Sequence, residues 1–299
     1  MENDQLTFKR IMVPFISAPP HERTMDQAFE TASQFDANLF LIHTNLAYKS
    51  VPDQRFMQMM AEDEGANRPP SGSHSDFLSS APVIFHHQLD NQPVAPAILD
   101  FAVDKKIDLI VLETHSHRIL GKPVFGGVAE EIIRSSPCSV LTIRKNESVA
   151  KDVGFSKILV AIDFSKYSSQ QLLAGSDLAG TFGAMIHCIN VIEQRIRPSI
   201  LPQKPEFKAR SQHFRQTTEK MLTAMNSLQE ELARPSPSWT NHIRLGHASS
   251  QILEFLESES IDLIITSSHG LTDNQNFRLG SMVEKLIRRA PCSVLLLKN

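Results

Sequence analysis

Cysteine is scarce in this sequence: Cys138, Cys188 and Cys292 are the only three in 299 residues. They make neither a disulfide framework nor a metal cluster, and the expectation is reduced, buried thiols in a cytoplasmic protein. Charge of one sign is also lacking. Thirty Lys and Arg stand against 33 Asp and Glu, a net charge of −3, which gives no electrostatic pull toward nucleic acid or an anionic membrane. No apolar run approaches the ~20 residues that a spanning helix needs. The opening MENDQLTFKR is polar and places acids before bases, unlike a secretory signal. There is no G-x-x-x-x-G-K-[ST] loop, no lysine-and-magnesium arrangement for phosphoryl transfer, and no Ser-His-Asp or Cys-His set. Binding rather than catalysis is therefore expected. The remaining composition is globular, 41% hydrophobic and 21% charged, in a chain long enough for two domains with a full core each.

What is present is an echo. The tetrapeptide PCSV stands at 137–140 and again at 291–294, 291 − 137 = 154 positions apart, as SSPCSVLTIRKN and RAPCSVLLLKN. The echo extends along the chain. KRIMV meets KILV when Ile11 is set on Ile158, a shift of 147, and Phe35 then falls on Phe182. KKIDLIVLETHS meets ESIDLIITSSHG with Asp108 on Asp262, a shift of 154. The second copy is thus 154 − 147 = 7 residues longer between its second and third strands. This is a tandem duplication, with domains at 1–149 and 150–299.

Both copies read in the same order. An apolar β-branched run (11–13; 158–162) precedes a helical pattern (24–35; 168–182) and a second strand (39–43; 185–191). A long connection follows with the helix-like stretches FMQMMAEDEGA and FKARSQHFRQTTEKMLTAMNSLQEELA. Then come a third strand (83–89; 240–245), a helix ending FAVDKK or FLESES, a fourth strand IDLIVL or IDLIIT, a loop, a helix and the PCSV strand. Near-continuous Ile/Leu/Val strands alternating with helices imply a parallel sheet covered on both faces. The expected class is α/β, as two similar open, parallel-stranded sandwich domains.

In such a sheet, ligands bind at the carboxyl ends of the strands, where strand order reverses. There the copies diverge. After its first strand the second copy has AIDFSKYS and the first PFISAPPH, which sets Asp163 on Ile16. A carboxylate can accept hydrogen bonds from a ribose or an adenine edge, and isoleucine cannot; as a local alternative, Asp163 caps the following helix. After the fourth strand, Gly270 and Gly280 bracket nine residues and Ser281 opens an amphipathic helix. Glycine allows close backbone approach to a phosphate, and a helix start offers free N–H groups. The first copy has Ser116 for Gly270 and Gly127 for Ser281, while Gly126 still aligns with Gly280.

This G-x-x-G, nine residues, G-S pattern, with the APCSVLLLK type of ending, resembles a tandem universal stress protein over nearly the whole chain, twice. The resemblance implies a Rossmann-like, adenine nucleotide alpha hydrolase-like fold, a stress-response role and an adenine-nucleotide (ATP) site in copies that keep the motif. Carried over, Asp163 would hold the adenine or ribose side and Val191 would contact the base. His269 and Gly270 would lie along the phosphate loop, with Gly280, Ser281 and Met282 presenting N–H groups and a hydroxyl to phosphates. The departure is Ser267, where the motif has its first glycine, and its Cβ could crowd the ribose-phosphate path. The first copy, with Ile16, Glu113 and Ser116, loses the pattern, and Glu113 places a negative charge where phosphate would pass. The terminal strand commonly pairs domains in single-copy members, so the PCSV strands (140–143 and 294–297) should pair within this chain as an internal pseudo-dimer, which also covers an aggregation-prone edge.

The reading is therefore a nucleotide-binding or sensing module with one ATP site, in the second copy, and at most slow hydrolysis. The rival is a scaffold acting through protein partners or another ligand in the first crevice. A homodimer is left open; no nucleic acid or membrane partner is expected. One further set stands out: His43, His115 and His117 at strand ends of the first copy, where converging imidazoles could bind zinc, against the plainer reading of backbone-bonded or solvated loop histidines. His86 and His87 are adjacent on one strand, point to opposite faces and cannot chelate as a pair.

Overall fold

The structure, a computed structural model, describes residues 6–16, 22–44, 84–89, 93–114, 117–119, 122–124, 127–144, 153–193, 205–232, 239–268 and 280–298. The first repeat forms β1 (Arg10–Phe15), α1 (Glu22–Gln34), β2 (Asn38–Thr44), β3 (Ile84–Leu89), α2 (Val94–Asp104), β4 (Leu109–Thr114), β5 (His117–Ile119), β6 (Lys122–Val124), α3 (Gly127–Ser135) and β7 (Ser139–Arg144). The second forms β8 (Lys157–Ala161), α4 (Ser168–Phe182), β9 (Met185–Ile192), α5 (Pro205–Glu231), β10 (Trp239–Leu245), α6 (Ala248–Ser258), β11 (Leu263–Ser267), α7 (Ser281–Arg289) and β12 (Ser293–Leu297).

Ten strands make one sheet, in the order β10-β9-β8-β11-β12-β7-β4-β1-β2-β3. Within each repeat all neighbours are parallel, as strands buried on both faces require. The repeats join where β12 and β7 run antiparallel, with Val294 opposite Thr142, Leu295 opposite Leu141 and Leu296 opposite Val140. The two PCSV strands thus pair with each other, as the duplication suggested. The seam buries Val294 to Leu297 almost completely, each side chain contributing about 1.5–3 kcal/mol of transfer free energy. Side-chain ties cross it as well: Leu6 N–H donates to Asp177 Oδ2 at 2.6 Å, and Arg288 Nη2 meets Glu130 Oε2 at 2.9 Å.

Alternation along each strand sends side chains to two separate cores. One face collects Ile11, Val13, Leu109 and Val111 with Ile158, Val160, Leu263 and Ile265, under Ala28 and Ala32 of α1, Leu172 and Leu178 of α4 and Met225 of α5. The other collects Met12, Ile110, Leu159 and Ile264 under Ile98 of α2, Ile132 of α3, Phe255 of α6 and Leu286 of α7. The long helical pattern 207–233 appears as α5, whereas FMQMMAEDEGA lies outside the described residues. One element was not expected: β5 and β6 form a small antiparallel hairpin between β4 and α3, pairing His117 with Val124.

Candidate functional site

In both repeats the strand order reverses between the first and fourth strands, that is between β1 and β4 and between β8 and β11. Pairing in the second repeat stops at Ile265 opposite Val160, so the chains past these residues diverge and leave a crevice at their carboxyl ends.

Beyond β8, Ile162 N–H donates to the Ile189 carbonyl at 3.0 Å, and Asn190 Nδ2 donates to the Ile162 carbonyl at 2.9 Å. The next residue, Asp163, is partly buried and accepts the Ser165 N–H on Oδ1 at 2.9 Å, an Asx turn that leads into α4. It is not the residue preceding the helix, a place taken by Tyr167, so the capping role is only indirect. Phe164 adopts φ 58°, a left-handed conformation that costs a bulky residue about 1–2 kcal/mol, and its half-buried ring packs against the first core.

On the face of α6 and α7, Val191 and Met282 both pack partly against the second core. Gly280 precedes α7 with φ −57° and ψ 141°, a conformation open to any residue, and among the described residues a Cβ added there would meet only Val283 Cγ2 at 4.0 Å. Glu284 N–H makes the first intrahelical bond, to the Gly280 carbonyl at 3.0 Å, so the N–H groups of the first turn point out of the helix start. Ser281 is exposed there. His269 and Gly270 lie outside the described residues.

Ser267 lies on the opposite face. It is buried at the end of β11, on the side of Leu263 and Ile265, and its hydroxyl lies 2.9 Å from the amide of Gln171 on α4. Its Cβ therefore points to α4, not toward the α7 start. The aligned pair in the first repeat, by shifts of 147 and 154, is Thr24 and Glu113. Thr24 Oγ1 donates to Glu113 Oε2 at 3.0 Å. The Glu113 carboxylate is thus turned to α1, which corrects its placement in the phosphate path, since even a long side chain follows the face that its strand position dictates. Ile16, in the place of Asp163, packs against the second core. Gln171 and Thr24 were not singled out from sequence; the available signal was a polar residue inside the buried stripe of each helix.

Of the three candidate zinc ligands of the first repeat, only His43 has a described side chain. His43 is buried against Phe15, ring edge to face at 4.5 Å, His115 lies outside the described residues, and His117 belongs to the β5–β6 hairpin. Among the described residues no group of three His, Cys, Asp or Glu could hold a metal ion. A different pair of imidazoles meets on β9 and β10, His187 Nδ1 and His242 Nε2 at 3.1 Å, beside Phe255.

A family model described as the universal stress protein family matches residues 7–144 and again 154–298. The chain belongs to the universal stress protein family. It carries two such domains. A universal stress protein of Methanocaldococcus jannaschii is 27% identical over 162 residues, which cover 52% of this chain and 87% of that protein. A putative universal stress protein of Staphylococcus haemolyticus is 27% identical over 147 residues, 48% of this chain and 86% of its own. Among solved structures, a functionally unknown protein of Pseudomonas aeruginosa covers 97% of this chain and 92% of its own, with a TM-score of 0.69 and 15% identity. A universal stress protein of Archaeoglobus fulgidus covers 99% and 98%, with a TM-score of 0.59 and 17% identity. These likenesses establish a universal stress protein fold along the tandem. No helix among the described residues is long and apolar enough to cross a membrane.

Proposed function

We propose that this universal stress protein binds one adenine nucleotide per chain, ATP being the form tested below, in the crevice of its second domain, with the domains divided at 149/150 and the protein in the cytoplasm. The observation that carries this reading is the setting of Gly280. Its φ and ψ are ordinary and no described residue crowds it, so packing among the described residues supplies no reason for glycine just where a helix start exposes N–H groups. Close approach by a phosphate supplies one. Asp163, at the end of β8, is the acceptor proposed for the sugar or base, with Val191 and Met282 as apolar contacts and His269, Gly270 and Ser281 along the phosphates. Ser267, turned toward Gln171 on the other face, leaves that path clear. The first domain has Ile16 in place of the acceptor and is assigned no nucleotide. The role is binding or sensing, with at most slow hydrolysis.

Titration calorimetry with ATP tests this. One site per chain is expected, weakened in Asp163→Ala by roughly 1–3 kcal/mol, the usual penalty for an unpaired buried polar partner. Two sites per chain, or an unchanged affinity in that variant, would overturn the assignment. Absence of binding would favour a scaffold that acts through protein partners.

A further inference from the structure

The carboxamide of Gln171 occupies a particular place. Ladder pairing between β8 and β11 ends at Val160 and Ile265. The next rung of a parallel ladder would join the Ser267 N–H to the Ala161 carbonyl, past the last paired residues. In the amide orientation that satisfies both of its ends, Gln171 Nε2 donates to the Ala161 carbonyl at 3.2 Å, and Oε1 accepts the Ser267 N–H at 2.8 Å and the Ser267 hydroxyl at 2.9 Å. A side-chain amide presents the same donor and acceptor as a peptide group. Gln171 therefore takes the place of that rung between two separating strands, reaching from the helix that follows β8 to Ser267, 96 residues further along the chain. It is 3% exposed, so the bridge is dry.

We infer that Gln171 is the positioning residue of the second crevice: its amide fixes the separation of the β8 and β11 ends, and with it the distance between Asp163 and the start of the loop that leads to Gly280. The ligand part of this inference rests on the proposed nucleotide site. Gln171 lies on the α4 face of the sheet and Val191 and Met282 on the other, so it acts through the strand ends rather than by touching a nucleotide. The aligned pair in the first domain does not reproduce the bridge. There a short hydroxyl, Thr24, meets a long carboxylate, Glu113, at 3.0 Å, and a carboxylate has no N–H to give to the opposite strand. The serine that departs from the family's glycine is then part of the device, since its hydroxyl is the third group held by the amide.

Two readouts on the full chain separate the parts of this inference. The first is amide hydrogen exchange at Ser267 without ligand. The second is ATP affinity. Gln171→Leu, close in volume but without the amide, is expected to speed Ser267 exchange at least tenfold and to weaken ATP binding at least fivefold. Gln171→Glu keeps the acceptor for the Ser267 N–H, and should retain Ser267 protection and more of the affinity than Gln171→Leu. Ser267 exchange unchanged in Gln171→Leu overturns the bridge. Faster exchange with unchanged ATP affinity overturns the positioning role. Faster exchange in a wild-type background that binds no ATP supports the bridge and overturns the nucleotide reading.

Discussion

Gly175 follows Gln171 by one helical turn on α4 and faces the same strands. An added Cβ would lie 2.4 Å from Val160 Cγ2, 3.1 Å from Ile186 Cδ1 and 3.5 Å from Trp239 Cη2. Val160 is fully buried and β-branched, with little rotamer freedom to retreat. In an open helix interior, Gly→Ala gains about 1 kcal/mol from propensity and reduced unfolded-state freedom. Forcing a methyl into a packed core costs about 1–3 kcal/mol, and a first contact of 2.4 Å argues for the upper half of that range. The net expectation for Gly175→Ala is a loss of about 1–2 kcal/mol. Gly180 on the same helix provides the control, because a Cβ there meets nothing within 4 Å. Gly180→Ala should gain up to about 1 kcal/mol. Urea denaturation of the two variants beside the parent measures both, and the same push should lift Gln171 from its strands and speed Ser267 exchange. If both substitutions stabilise equally, α4 does not approach the sheet as closely as Val160 implies, and the reasoning fails.

Two titrations give further tests. Burial pushes the Cys138 thiol up to about 11 and that of Cys292 up to about 12, and raises Cys188 as well. In native protein at pH 8 all three should resist a thiol reagent and react fully in denaturant; fast labelling of the native state would count against the packing described. Since these thiols ionise more readily unfolded, their contribution to stability is present below the ordinary thiol value of about 8.5 and falls as pH rises above it. Burial, the largest cause, lowers the pKa of both His187 and His242; Glu259 opposes it at both, Lys157 adds to it at His187, and His187 and Arg244 add to it at His242. The unfolded chain then takes up protons first, so stability is present above about pH 6.5 and is lost as pH falls through the folded values. His242→Gln should flatten that acid limb in urea midpoints measured from pH 7.5 to 5, and an unchanged slope would refute the assignment.

The features legible from sequence were those that repetition and strand hydrophobicity encode. Strands such as IDLIVL and IDLIIT carry no polar face, and that alone required helices on both sides. The duplicated PCSV run, apolar and terminal, required a partner, and its own copy was the available one. What escaped notice depends on contacts far apart in the chain. Gln171 in SSQQLLAGSDLA reads as an edge of the apolar stripe until Ser267, 96 positions on, is placed beside it. The direction of Glu113 is a matter of strand parity, which puts it on the face of Leu109 and Val111 beside Thr24. The β5–β6 hairpin fell in a Gly- and Pro-containing stretch, GKPVFGG, whose composition signals a loop before it signals strands.

The register of the seam decides how the two domains relate. Leu141 lies opposite Leu295, and 295 − 141 = 154 is the repeat shift itself. The flanking pairs, Thr142 with Val294 and Val140 with Leu296, exchange roles about that point. This is the self-complementary pattern of a two-fold interface, realised within one chain. It follows that the parallel strands of one domain run opposite to those of the other, so the two crevices open at opposite edges of the ten-stranded sheet. The domains still meet beyond the seam strands, since β6 of the first domain approaches α7 of the second. At the aligned positions the first domain has Ile16 where the second has Asp163, and the Thr24–Glu113 pair where the second has Gln171 and Ser267. The seam also covers the β7 and β12 edges of the two domains, which leaves β10 and β3 as the outer strands of the ten-stranded sheet.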